Sequence, residues 1–299
     1  MPPQEAIVSL FIKKTCPKHK FPYLDIVDRR NIVLDMKKIP FIALLLLISF
    51  RIFPQSYAYD TANAGTAKIL TGNTYVLICF ISDRNNQWRN NEKMNAIAKY
   101  NEATGWLKTQ ARNYGVRIDF ESGTYGLDSD IKLNYIEYGT ASGNEDVEIV
   151  STVLNQLGYY NDLSFYDWVL NNTNCSNALV LLYVKGAGIG YAIPQYQYGN
   201  NELLYMEGIV LYDRFPDGQN GTSASIAHEI LHLFGAWDLY ATFQQTKEAE
   251  SYARMHFPNS IMLRVSHNIN ELTVDPLTAW RIGWNHNPEP WYAWFDPDN

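Results

Sequence analysis

The chain has 299 residues, with 24 Lys and Arg against 31 Asp and Glu, a formal net charge of −7 and a pI near 5.4. With 46% hydrophobic and 18% charged residues its usage is ordinary for a globular protein, which excludes a disordered chain, a coiled coil and a collagen-like fibre. No apolar run approaches the ~20 residues of a membrane span, and the acidic balance lacks the clustered basic residues that a nucleic-acid partner requires.

Taken in chain order, the first readable signal is Met36-Lys37-Lys38, followed by an apolar stretch from Ile39 to Phe50 and small residues at Ser56 and Ala58. Those are the three parts of a secretory signal peptide, expected over residues 36–58 with cleavage near Ala58 into a secreted or periplasmic product. A dozen residues rising ~1.5 Å each cannot cross ~30 Å of hydrocarbon, so no stable membrane insertion is expected. Residues 1–35 read as an upstream extension that does not belong to the native chain, with translation starting at Met36. The remaining 59–299 shows no repeat, charge block or Ser/Gly linker and is expected to be a single domain. It keeps Cys79 and Cys175, which the sequence leaves open as one disulfide or as buried thiols.

Within that domain, Thr74 to Ile81 is a near-continuous apolar run and predicts a central strand. Met94, Ile97, Ala98, Leu107 and Ala111 mark one face of a long helix over about 90–113. Strands are expected at Val116–Phe120 and Ile131–Tyr138. A second helix, capped by Asn144 with Glu145 and Asp146 in its first turn, carries Val147, Val150, Val153, Leu154 and Leu157 at helical spacing. Ala178–Val184 predicts another buried strand, with shorter ones at Gly190–Ile193 and Ile209–Tyr212. A helix follows over about 223–234, and a last one near 276–283, opened by Asp275-Pro276 as cap and first position. Strands and helices mix without a strict βαβ repeat, which predicts an α+β fold, or a mixed-sheet α/β one.

Residues 228–232 read His-Glu-Ile-Leu-His. On a helix, positions i and i+4 share a face, so His228 and His232 can offer imidazole nitrogens to one ion. Glu229 is rotated off that axis, near enough to serve as a general base without binding metal, which is the zinc-hydrolase arrangement. Gly235 and Asp238 extend the pattern to H-E-x-x-H-x-x-G-x-x-D. Gly235 can end the helix with φ > 0 so that the chain turns back beneath it. Asp238 then supplies a third ligand and leaves a fourth position open, as in catalytic rather than structural zinc sites.

The extended motif resembles that of the metzincin metalloproteases, in the variant with Asp as third ligand found in the snapalysin type. The resemblance implies a zincin-like α+β fold: a mixed twisted sheet with backing helices and an active-site helix in an upper subdomain (59–235), and a smaller irregular lower subdomain (236–299). It implies one catalytic zinc on His228, His232 and Asp238, and a secreted endopeptidase in which Glu229 assists the attack of zinc-bound water on peptide bonds. It also implies a methionine turn, for which Met262 in Asn259-Ser260-Ile261-Met262 is the candidate and Met255 the weaker one. Arg264 stands where some members carry a further tyrosine ligand, so none is assigned. An edge strand ahead of the helix would pair with extended protein or peptide substrate, and Gly190, Tyr191 and Ala192 are its candidates, the glycines admitting close backbone approach.

Weaker signals compete with these. Glu248 and Glu250 imitate the third ligand of a gluzincin-type site, and Asp238 is preferred. His256, His267 and His286 lack ligand spacing. Asp213, Asp217 and Asn220 suggest calcium, although Pro216-Asp217-Gly218 reads better as a turn. Trp280, Trp284, Trp291, Tyr292, Trp294 and Phe295 are expected to pack as a tail; the alternative is an inactive, metal-holding adhesin or carbohydrate-binding module built on them. Asp60 is a conceivable weak blocker of the metal, and the oligomeric state is not legible.

Overall fold

Alternate side chains of the first apolar run bury against helices on opposite faces, which makes it the centre of a sheet. The computed structural model describes residues 65–82, 85–128, 131–132, 145–195, 205–241, 245–264 and 266–296. The upstream extension, the signal peptide, Asp60 and Asn144 lie outside the described residues. Strand β1 spans Gly72–Ser82. Val76, Ile78 and Phe80 enter one core, and Tyr75, Leu77, Cys79 and Ile81 enter the other.

Helix α1 (Asn90–Asn113) is followed by β2 (Ile118–Tyr125) and the short β3 (Ile131–Lys132). Then come α2 (Glu145–Gln156), α3 (Asp162–Asn172), β4 (Asn177–Ala187), β5 (Tyr191–Ile193), β6 (Gly208–Arg214), the site helix α4 (Ser223–Leu233), α5 (Lys247–His256) and α6 (Pro276–Arg281). The sheet order is β2-β1-β4-β6-β5, with β3 also pairing with β1. All pairings are parallel except β5 on β6, where Tyr191 faces Val210 and Ile193 faces Gly208. The architecture is therefore mixed α/β with a mostly parallel sheet. Its central strands are buried on both faces, which is why they read as continuous apolar runs.

One core holds α2 and α3 against the sheet through Val150, Leu154, Phe165 and Val169. The other joins α1, α4 and the C-terminal third, from Ala67 to Phe295, in one continuous cluster. Helix α3 was absent from the sequence-based expectations, although Asn161 caps it by accepting the Ser164 N–H and Ser164 reciprocates on the Asn161 N–H. Helix α5 was likewise not expected; its buried residues are only Ala249 and Ala253. Cys79 and Cys175 are buried free thiols, which resolves the alternative left open by the sequence. Among the described residues no helix is long and apolar enough to cross a membrane.

Candidate metal centre

Thr222 starts the site helix by accepting the Ser225 N–H on its side-chain oxygen at 3.1 Å. From α1, Lys99 donates to the Gly221 carbonyl at 2.7 Å and Glu102 accepts the Ser223 hydroxyl. Ile226, Ala227, Ile230, Leu231 and Leu233 bury the inner face, so His228 and His232 are left on the opposite, partly open stripe. The helix ends at Gly235 with φ 93°, the Gly235 N–H donating to His232 O and the Ala236 N–H to Leu231 O. A six-to-one bond of this kind closes a Schellman turn, and its left-handed residue is nearly free only for glycine.

Both imidazoles are locked by backbone. His228 Nδ1 lies 3.0 Å from the Ile261 carbonyl and His232 Nδ1 lies 2.9 Å from the Ala236 carbonyl. A carbonyl only accepts, so each Nδ1 carries the proton and each neutral ring turns a lone pair on Nε2 toward the centre. The two Nε2 atoms are 3.0 Å apart, and Asp238 Oδ1 stands 3.2 and 3.3 Å from them. Asp238 Oδ1 is buried with no hydrogen-bond partner, although it faces both rings. With both rings neutral, three lone-pair atoms thus converge on one point, as a metal ion requires. Ligands ~2.0–2.1 Å from a tetrahedral zinc ion stand about 3.3 Å apart, so the spacing fits such an ion. Without one, burial works against charging the rings, but the Asp238 carboxylate prevails: His228 is raised and His232 is pushed up to about 9. Asp238, although buried, is drawn well below the usual carboxylate range by the two rings.

Glu229 lies beside this cluster. Burial is the largest influence on its carboxyl and raises its pKa, against the pull of His228, His232 and the Ala192 backbone N–H. The structure therefore brings β5 to the carboxylate through Ala192. Gly190 immediately precedes β5, and its lack of a side chain has a local cause. A Cβ there would stand 2.7 Å from Leu211 Cδ2 on the neighbouring strand. A side chain at Gly190 would press on that leucine methyl, so local packing gives the glycine a reason of its own beside the close substrate approach expected from sequence.

Met262 is fully buried. Its carbonyl accepts the Leu239 N–H at 2.8 Å, while the preceding residue's carbonyl holds His228. This turn is braced by Ser260, whose hydroxyl donates to Asp275 Oδ2 at 2.7 Å and accepts the Met262 N–H at 3.1 Å. Met255, the weaker candidate, is 77% exposed on α5 and takes no part. Two contributors to the site went unread in the sequence. Tyr240 hydrogen-bonds Asp238; burial first, then the Asp238 charge, raises its pKa far above the ordinary phenol value. Its position two residues after the motif's last member was the available signal. Arg281, fully buried, donates from Nε to the Gly235 carbonyl at 2.9 Å and lies over the Trp237 ring, which fixes the loop carrying Asp238.

The competing candidates lie elsewhere. Glu250 accepts the Ala241 N–H and pairs with Arg254, and Glu248 opens α5 without joining the cluster. Pro216-Asp217-Gly218 forms the turn preferred from sequence: Asp217 accepts the Gln219 N–H, and Asp213 is engaged with Lys185 and the Gly186 N–H. Among the described residues, His228, His232 and Asp238 form the one group placed to hold a metal. His256 stacks on Tyr252, while His267 and His286 are exposed. Arg264 pairs with Glu271. The aromatic residues pack on one another, with Trp291 against Tyr252 and Phe257, and Trp280 against Tyr292. Trp294 remains 60% exposed.

No protein-family profile matches the chain, and no curated protein matches it. Among solved structures it has a slight likeness to metalloproteinase-II from Bacteroides fragilis, with a TM-score of 0.33, 14% identity, and coverage of 71% of this chain and 52% of that one. The matched region spans about half of that protein's length.

Proposed function

We propose that the chain is a zinc-dependent endopeptidase of metzincin-like organisation, exported under the signal peptide at 36–58, with residues 59–299 as its catalytic domain. The observation that carries this reading is the convergence of three lone-pair atoms, from His228, His232 and Asp238, beside the Glu229 carboxylate. When bound there, zinc supplies Lewis acidity toward a peptide carbonyl and makes water a stronger nucleophile at neutral pH. The Asp238 charge offsets part of the ion's own, so more of the water activation falls to Glu229. Glu229 accepts the proton of the attacking water and passes it to the leaving amine, a double role suited to a carboxyl whose pKa burial has raised. The Ala192 N–H orients that carboxylate. Among the described residues β5 is the last of the sheet path, and its outer edge is the assigned place for backbone pairing with an extended peptide at Gly190, Tyr191 and Ala192, the last through its carbonyl because its N–H is held by Glu229. Backbone pairing of this kind tolerates many side chains, which points to unfolded protein as substrate.

The test is digestion of a broad panel of unfolded proteins by the zinc-replete chain, with and without a chelator, beside Glu229→Gln. The wild type cuts and the chelator stops it. Glu229→Gln retains its zinc while kcat falls by roughly 10²–10⁴ or more, the range for losing a general base. A zinc-replete wild type that cuts nothing would leave a metal-holding module without catalysis. Full activity in Glu229→Gln would assign the chemistry to another residue.

A further inference from the structure

We infer that the mature amino terminus is Gly65, released by cleavage after Ala62-Asn63-Ala64 in place of the site expected near Ala58, and that its α-ammonium pairs with the buried Glu207 carboxylate to fix the β5–β6 edge. Glu207 is fully buried, as are Thr66 and Ala67. Its carboxylate accepts the Ala67 N–H at 2.6 Å and the Gln195 N–H at 2.7 Å, with the Thr66 hydroxyl at 3.5 Å. Among the described residues none of the ion pairs reaches it. A buried carboxylate without a cation is costly to ionise, and burial pushes Glu207 up to about 8 despite its hydrogen bonds.

The backbone of Gly65 lies against this group. A Cβ on Gly65 would stand 2.0 Å from Glu207 Oε2 and 2.4 Å from Oε1, so the position admits no side chain. An amine on that same α-carbon is one bond from the contact. Hydrolysis of the Ala64–Gly65 bond adds one water, leaving an amine on Gly65 and a carboxyl on Ala64 that ionises and releases its proton to solvent. With an ordinary pKa of ~7.7–8.0, the amine takes up a proton as Glu207 gives one up.

Two further features agree. Ala62-Asn63-Ala64 presents small residues in the A-x-A spacing that signal peptidases read, six residues beyond the Ser56/Ala58 pair. The segment after the cut is already tied into the sheet, the Thr66 carbonyl accepting the Ala178 N–H at 2.9 Å. Glu207 directly precedes β6, and Gln195 follows β5 by two residues. The ion pair would therefore brace the strand whose Ala192 N–H orients Glu229.

The inference rests on the export reading, and one experiment separates the two. The full-length chain is expressed in a secreting host, and the exported product is analysed by intact mass and amino-terminal sequencing. The product begins at Gly65. An exported product beginning at Tyr59, or at any other residue, overturns the inference and leaves export standing. Uncut chain retained in the cell overturns both. Acetylation of the α-amine is then timed on native and denatured product. Pairing with a carboxylate raises an amine's pKa by about 1 unit or more, so native labelling is at least about tenfold slower. Equal rates overturn the pairing. In Glu207→Gln the protection is lost; a Glu207→Gln product that keeps it also overturns the pairing. If that variant is not exported, the wild-type comparison of native and denatured rates decides alone.

Discussion

Tyr240 donates its phenolic proton to the Asp238 carboxylate, whose Oδ1 faces the two histidine rings. A partner of this kind orients a ligand and raises its basicity, and its loss costs about 10–100-fold in metal affinity. Tyr240→Phe keeps the ring and removes only the donor. Its zinc affinity, read by competition with a chromophoric chelator, is expected to fall by that factor with the far-UV spectrum unchanged. The motif made His228, Glu229 and His232 legible because helical spacing alone places them. Tyr240 offered only its place two residues after Asp238, since a tyrosine in irregular chain gives no sign of which way its hydroxyl points. Titration of the metal-free site has a definite sign. His232, at about 9, lies above its unfolded value of ~6.5, so its stabilising contribution is complete below ~6.5 and lost as pH rises through about 9. Asp238, depressed when folded, contributes above ~3.9 and loses that contribution as pH falls toward its folded value. Zinc binds the deprotonated rings, so the gain in Tm on adding zinc is expected to grow between pH 6.5 and 9. Thermal melts with and without zinc across that range check it; a gain that shrinks would contradict the donor assignment.

At the level of elements, Gly235 decides where the site helix stops and how its chain returns to present Asp238. With φ at 93°, an alanine there costs about 1–2 kcal/mol or reshapes the turn. Gly235→Ala is expected to lower stability in urea by about that amount and to weaken zinc binding. Retained affinity would show that the Arg281 clamp alone places Asp238. The strands β1, β4 and β6 were legible because burial on both faces writes itself as unbroken apolar sequence. The span of α1 and the Asp275 cap of α6 followed from periodicity and capping chemistry, but the inner face of α1 did not: Met94 and Ala98 are exposed, and Ala96, Tyr100 and Ala103 are buried beside Leu107 and Ala111. Helix α3 was legible in principle, from its Asn161–Ser164 box and the spacing of Phe165, Tyr166 and Val169. Helix α5 was legible in the same way, from the Thr246 cap on the Ala249 N–H and from Ala249, Tyr252 and Ala253 at helical spacing on its inward face, although only the two alanines are fully buried.

Across the molecule, the cluster from Ala67 to Phe295 passes without interruption through the sheet, the site helix and the C-terminal third. Trp284 Nε1 bonds the Leu70 carbonyl at 2.6 Å, and the Tyr114 hydroxyl bonds the Val274 carbonyl at 2.7 Å. The upper and lower parts named from the motif share this core, so denaturant unfolding is expected as a single transition, with tryptophan fluorescence and far-UV circular dichroism coincident. Two separated transitions would show that the lower part comes away independently.

The carbonyl of Ile261 and that of Met262 hold, respectively, the first donor and the loop of the third. Those carbonyls belong to chain made after His228, His232 and Asp238. During synthesis, therefore, the motif exists as sequence before it exists as a site: a chain that ends short of residue 261 can hold His232 on the Ala236 carbonyl but has nothing to set the tautomer of His228. Metal capture by the three donors would then report completed folding.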